Sequence, residues 1–502
     1  MAPPIFAVRN LTSADITIKT VEAFEDPDSK QSRASAFSFA PTTTTLPAPT
    51  SNAIEQHSKS FNQKNTEITL SPCDSYSLDA QNEPGHEHGS SAQLSTIMYR
   101  LTIENDKSER FRIDINPTYT QKSSHLLTPL TPNPSTSLTA LYHPTTPKAQ
   151  VTIHANHLHD PATWMSKLPS ELPLSALSIP GTHNSHTYYR ALPSVRCQVV
   201  GVKAQLENGI RFLDIRVQPV HASDPDRNKD LYLVHGAFPV SLTGPKYLTP
   251  ILSTCYEFLS QHPSETILIS LKREGVGSST DAHVSQILSK HYIGPNREKW
   301  HIEPTMPYLG DVRGKLVLIR RFDLPSSSSD DTTHATATTP LPLGLDATSW
   351  PHNSTHALHG PFCVQDYCEI MQPTQIPDKL THSTSHLARS AAATAFIPGV
   401  TTDAANPVPP GPLYLNFLSG SNFWNVGCWP EKIAKVVNRG VEEWVCGEMG
   451  LGEGGDEGGV RRRLREGDGG AGVVVMDNVG DGGDWDLVRL IVGLNMGVVG
   501  KM

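Results

Sequence analysis

The chain has 502 residues, with 41 basic against 50 acidic side chains and a formal net charge of −9. That balance lacks the basic footprint of a nucleic-acid binder, yet it leaves room for a local basic pocket that holds one phosphate. The length allows two domains, or one large barrel with an appendage.

In chain order, residues 1–118 carry short alternating, β-branched and aromatic runs: "IFAVRNLTSADITIKTVEAFE", "NTEITLSPCDSYSL" and "STIMYRLTIENDKSERFRIDI". They predict a small antiparallel, sandwich-like β domain. The stretch "APTTTTLPAPTS" inside it reads as a loop or a disordered insertion. Residues 119–163, rich in Thr, Pro and His, read as a linker with "AQVTIHAN" as an extra strand.

From 164 to 502 the rhythm changes to alternating helix and strand. "LSIPGTHNS" is a short buried strand stopped by Pro180-Gly181. "SVRCQVVGVKAQLENG" reads as a helix, and "IRFLDIRV" and "LYLVHG" as strands. "LTPILSTCYEFLSQHP" is an amphipathic helix, followed by the strands "TILISLKRE" and "GKLVLIRRF". The stretches 324–360, 381–410 and the Gly-rich 447–470 read as low-complexity insertions. Between them fall the strand "PLYLNFLSG" and the helix "PEKIAKVVNRGVEEWVCG". After them come the strand "GVVVMDN" and the helix "DWDLVRLIVGLN". The alternation predicts an α/β fold on a parallel sheet, closed or doubly wound.

Residues two apart on a strand share a face. Asp214 and Arg216 therefore lie together on "IRFLDIRV", His235 follows Leu231 and Leu233, and Lys272 follows Ser270. Arg321 and Asp477 end their strands, and His183 and Asn184 follow theirs. Alone, each is an ordinary solvated strand end. Together, two histidines, several carboxylates and several cations at the C-terminal ends of strands suit acid–base chemistry on an anion.

In order and spacing, "LSIPGTHNS", "GIRFLDIRV", "LYLVHG", "ETILISLKRE", "GKLVLIRRF" and "VQDY" resemble the X domain of phosphatidylinositol-specific phospholipase C. The whole chain resembles the fungal X-domain-only type with a β-rich N-terminal domain. The resemblance is strong over 164–325 and weaker over 361–502. It implies a distorted, incomplete TIM-like barrel. It also implies attack of an inositol 2-hydroxyl on the neighbouring phosphodiester, giving diacylglycerol and a cyclic phosphate. By position, His183 is then the general base, His235 the general acid and Asp477 the carboxylate that orients the base. Asp214 lies close to the partners of the phosphate. Lys272, Arg321 and Asp366 touch inositol hydroxyls.

The calcium-dependent enzymes of the family place oxygen ligands where this chain has Asn184, Asp214, Arg216 and Lys272. Two cations among four positions predict no Ca²⁺ requirement, no metal ligand and no cofactor. The resemblance makes Arg216 the charge that replaces the metal. Two positions depart from the metal-independent pattern. Asn184 stands where an aspartate assists the general acid, and Cys368 stands where an aromatic stacks on inositol, with Tyr367 one place early.

The leading reading is a metal-independent phosphodiesterase acting on a phospholipid at a membrane surface. The competing reading is a catalytically weak or inactive X domain that binds phosphoinositide or inositol-glycan head groups. A metal-dependent phospholipase D or glycerophosphodiesterase on the same barrel would need Glu/Asp ligands near His183, and Arg216 and Lys272 speak against it. The tryptophans of "WNVGCWP" are core residues or a lipid-dipping rim. No stretch of about 18 apolar residues predicts a membrane span. The N-terminus lacks the pattern of a secretory signal, and seven scattered cysteines without CxxC spacing suit a reducing compartment. The expected location is cytoplasmic, with peripheral attachment at membranes.

Overall fold

In the computed structural model, residues 6–25, 62–78, 97–115, 124–143, 149–155, 160–221, 229–325, 343–452, 461–462 and 467–502 are described. The loop expected over "APTTTTLPAPTS" lies outside them. The chain forms two compact units, residues 1–157 with 445–465, and residues 158–444 with 466–502.

The first unit is built from two sheets. One contains Phe6–Leu11, Ser75–Leu78, Leu138–His143 and Gln150–Ala155; the other contains Ile16–Glu25, Asn62–Leu70, Ile97–Asn105 and Arg110–Ile115. Alternate residues of both sheets, among them Val8, Ile18, Leu101, Ile103, Ala140 and Ile153, bury one shared core. Pairing is antiparallel except between Phe6–Leu11 and Gln150–Ala155, which run parallel.

The linker expected over 119–163 is corrected here. Leu138–His143 and Gln150–Ala155 are strands of the sandwich, and Leu138, Ala140 and Tyr142 point into its core. The surrounding Thr, Pro and His residues hid this alternation. Gln150–Ala155 is the extra strand expected at "AQVTIHAN". Part of the Gly-rich stretch also joins this unit: Arg461–Arg462 pairs antiparallel with Ser75–Leu78.

The second unit carries seven parallel strands: Ile179–Thr182, Phe212–Pro219, Ile267–Arg273, Leu316–Arg321, Phe362–Gln365, Leu413–Phe417 and Val473–Met476. Called first to seventh, they stand in the order fourth, third, second, first, seventh, sixth, fifth. Helices lie between successive strands, including Val202–Glu207, Leu248–Gln261, Ile376–Ala392 and Pro430–Gly447. Leu248, Ile251, Leu252, Cys255, Phe258 and Leu259 form one buried stripe at helical spacing. Leu345–Asp346 adds beside the fourth strand and Ala357–His359 folds back on the fifth. Among the described residues no pairing joins these two edges, so the barrel is open. This is the distorted, incomplete TIM-like barrel expected from the sequence.

Three expectations change within this unit. The helix expected over 194–209 is restricted to Val202–Glu207, and the residues before it form an irregular loop. Leu231–His235 is not a barrel strand; it runs antiparallel to the second strand, with Leu233 opposite Val217. Residues 381–392, expected within an insertion, belong to the helix Ile376–Ala392, which buries Lys379, Ser383 and His386 as well as Leu387.

Candidate active site

The first and seventh strands pair along their full length, and the His183 amide donates to the Met476 carbonyl at 2.9 Å. His183 and Asp477, each one residue beyond its strand, are thereby held side by side. The Asp477 carboxylate lies 2.9 Å from His183 Nδ1. Asn184 and Asn478, the residues that follow, both adopt positive φ, at 42° and 55°. Asparagine tolerates that conformation, so both chains turn sharply away just past the site. Gln198 donates to the carbonyls of His183 and Met476 at 2.8 and 2.9 Å and pins the 190–200 loop to both strand ends.

That loop brings in Cys197, whose sulfur lies 3.7 Å from Asn184 Nδ2 and 3.9 Å from His235 Nδ1. His235 Nδ1 is also 2.9 Å from the Val195 carbonyl. The two imidazoles stand edge to face with centroids 6.0 Å apart. Burial alone would lower the His183 imidazole. The adjacent Asp477 carboxylate and, after it, the Cys197 sulfur together outweigh burial and raise it well above the free-imidazole range. His235 is also raised, because Cys197 outweighs burial. Burial and Asp477 push the Cys197 thiol up, but the two imidazoles prevail and bring it down to about 7.

Arg216, Lys272 and Arg321 occupy one row across the second, third and fourth strands, where the register sets Arg216 beside Lys272 and Lys272 beside Arg321. Two carboxylates organise these cations. Asp214, fully buried, takes Arg216 Nη2 at 3.1 Å and Arg321 Nη1 at 3.6 Å, and lies 4.0 Å from His183 Nε2. Burial would raise Asp214, but the two guanidinium groups hold it well below its usual range. Glu274 takes Arg216 at 2.6 Å and Lys272 at 2.9 Å, and accepts from the Gly236 amide beside His235. Burial opposes its charge, but Arg216 and Lys272 hold it down at about 2. The Arg321 guanidinium lies 3.8 Å over the Trp350 ring. The arrangement unites two imidazoles, a carboxylate partner for one of them, and a row of three cations, a set that can move protons on an anion.

Residues 170–322 match the family described as "Phosphatidylinositol-specific phospholipase C, X domain". The chain contains such an X domain.

Over 167 residues it is 34% identical to the "1-phosphatidylinositol phosphodiesterase" of Listeria monocytogenes, covering 31% of this chain and 47% of that protein. It is 30% identical to the human "PI-PLC X domain-containing protein 2" over 22% of this chain and 42% of that protein. The chain thus spans about half the length of the curated relatives it matches. The solved phosphatidylinositol-specific phospholipase C from Listeria monocytogenes aligns with 67% of this chain and 98% of its own, at 21% identity and a TM-score of 0.45.

His183, Asn184, Asp214, Arg216, His235, Lys272 and Arg321, all within the matched residues 170–322, gather with Asp477 at one end of the barrel. Asp366 follows the fifth strand and is nearly buried, with its charge felt by Arg216 and Arg321. Tyr367 packs its ring on His382, at 5.0 Å between centroids. Asn184 lies at His183 Nε2, 3.1 Å away, rather than at His235. Three partners were not visible in the sequence: Cys197 in the loop, Glu274 just past the third strand, and Trp350 in a stretch read as an insertion. Glu274 alone carried a signal, lying two residues beyond Lys272 on the same face.

The oxygen-ligand set of a calcium site does not fit these positions. Arg216 and Lys272 stand inside it, and Asp214 and Glu274 are engaged by them.

Proposed function

We propose that this X domain is a metal-independent phosphodiesterase that cleaves an inositol phospholipid to diacylglycerol and an inositol cyclic phosphate. His183 takes the proton of the inositol 2-hydroxyl as that oxygen attacks phosphorus. His235 gives a proton to the departing glycerol oxygen as its bond to phosphorus breaks. Asp477 stabilises the His183 imidazolium, and Arg216 faces the negative charge that grows on the phosphoryl oxygens. Lys272, Arg321, Asp366 and Tyr367 are assigned to the inositol ring. The observation that carries the reading is the His183–His235 pair, 6.0 Å apart, beside the fixed guanidinium of Arg216.

A membrane surface supplies the substrate in this reading. Phe238 and Phe423 stack at 5.0 Å, Trp424 packs on Phe423, and Trp424 is 88% exposed. An aromatic cluster left in water suits partition into a lipid interface. No described helix is long and apolar enough to cross a membrane. All seven cysteines are unpaired, which supports a reducing, cytoplasmic location in this reading.

One observation favours a binding module instead: His235 has a backbone carbonyl and a thiol as neighbours, not a carboxylate. The test is phosphorus NMR of purified protein with phosphatidylinositol micelles in excess EGTA, alongside His183→Ala and His235→Ala. Formation of cyclic inositol phosphate, lost in both variants, establishes the phosphodiesterase. Absence of turnover together with inositol-phosphate-sensitive vesicle binding establishes the binding module.

A further inference from the structure

The sequence reading assigned no metal ligand to this chain, because its cysteines lack the paired spacing of structural zinc sites. The fold assembles a cluster from three separated positions, at a place the phosphodiesterase site does not use. His356, Cys363 and His386 bring one ligand atom each to within 4.8 Å of the others. Cys363 lies on the fifth barrel strand. Leu358, on the antiparallel strand Ala357–His359, pairs with it. His356 is two residues before Leu358 and so projects on the same face of the hairpin. His386 comes from the helix Ile376–Ala392.

We propose that His356, Cys363 and His386 form a transition-metal site of zinc type, with a fourth position open to water. Four observations support it. First, one thiolate and two imidazoles are a donor set that zinc selects. Second, the Cys363 sulfur is 3.6 Å from His356 Nδ1. With Zn–S at about 2.3 Å and Zn–N at about 2.0–2.1 Å, tetrahedral ligands lie about 3.4–3.6 Å apart, so this pair needs no adjustment. Third, His386 is fully buried, and its contact with the Cys363 backbone leaves at least one ring nitrogen without a partner. A buried polar group without a partner is costly, and a metal ion would satisfy one of its nitrogens. Fourth, His356 is exposed, which gives the ion a path from solvent. Burial pushes the Cys363 thiol up to about 11, with Arg389, one turn along from His386, opposing it only in part, so zinc binding at Cys363 releases a proton.

An ion here would tie the returning hairpin, the fifth strand and the following helix together, three residues before Asp366. The site therefore has a structural role at the open edge of the barrel and no step in the proposed reaction.

The experiment uses the full chain, stripped with a chelator and re-equilibrated with zinc, with bound metal counted by plasma mass spectrometry. Cobalt serves as a spectroscopic stand-in. The expected result is one zinc per chain, a cobalt form with a thiolate charge-transfer band, and a higher melting temperature with metal. His356→Ala, at an exposed position that folding does not need, should weaken zinc by more than about 100-fold, since even outer-shell partners are worth roughly 10–100-fold. Cys363→Ser should abolish the charge-transfer band. His183→Ala controls for the other convergence of ligand atoms, formed by His183, Cys197 and Asp477. Retention of zinc in His356→Ala and Cys363→Ser with loss in His183→Ala overturns the proposal, as does failure of the folded wild-type chain to retain zinc.

Discussion

Asp477 settles the resting charge of His183. Its carboxylate, 2.9 Å from Nδ1, favours the imidazolium, so the proposed base holds a proton until the pH exceeds its raised value. Activity should rise with pH through the His183 titration and fall as His235 loses its proton. Both groups are raised, so the bell should centre above the free-histidine value of about 6.5. Asp477→Asn removes the charge that holds the proton. The rising limb of kcat/KM should move to lower pH while the plateau drops by roughly 10²–10⁴-fold, as loss of an orienting carboxylate does elsewhere. A limb that stays in place would show that His183 is not the base. Cys197→Ala should shift both limbs downward, because the sulfur raises His183 as well as His235. Arg216→Ala should reduce kcat by roughly 10²–10³-fold, the usual cost of removing one charge-stabilising donor, with no rescue by added Ca²⁺.

At the scale of elements, six of the seven barrel strands were legible because each is a short apolar run with its polar residues at one end; the fifth, Phe362–Gln365, is only four residues long and lies between stretches read as insertions. Those ends are the site, so most of its residues were legible too. The helix Ile376–Ala392 was not. Its buried face includes Lys379, Ser383, His386 and Ser390, and no apolar period marks it. Lys379 is fully buried and donates to Gln365 Oε1 at 3.1 Å. Burial pushes its ammonium down to about 8. Cys197 escaped for a different reason: its role depends on a loop fold fixed by Gln198, and single cysteines carry no periodic signal. Gly181 in the first strand shows how tight the barrel is. A β-carbon there would lie 2.9 Å from Phe212 Cβ, so Gly181→Ala should destabilise the chain by about 1–3 kcal/mol in urea unfolding.

At the scale of the molecule, the described residues present an aromatic cluster to water, Phe238, Phe423 and Trp424. Burying an aromatic side chain is worth about 1.5–3 kcal/mol, so Trp424→Ala should weaken binding to phosphatidylinositol-containing vesicles by roughly 10–100-fold. Its turnover of a soluble inositol phosphodiester should be unchanged, a split that co-sedimentation and NMR together would read.

The strand Arg461–Arg462, paired with Ser75–Leu78, has a consequence in time. The ribosome finishes the last N-terminal strand of the sandwich at Ala155 and delivers Arg461–Arg462, the neighbour of Ser75–Leu78, about 300 residues later, roughly 15–60 s at ordinary rates of synthesis. Through that interval the outer edge of Ser75–Leu78 lacks this neighbour and is open to pairing with another nascent chain. A transcript interrupted within the barrel would therefore yield a sandwich that is nearly complete and prone to self-association.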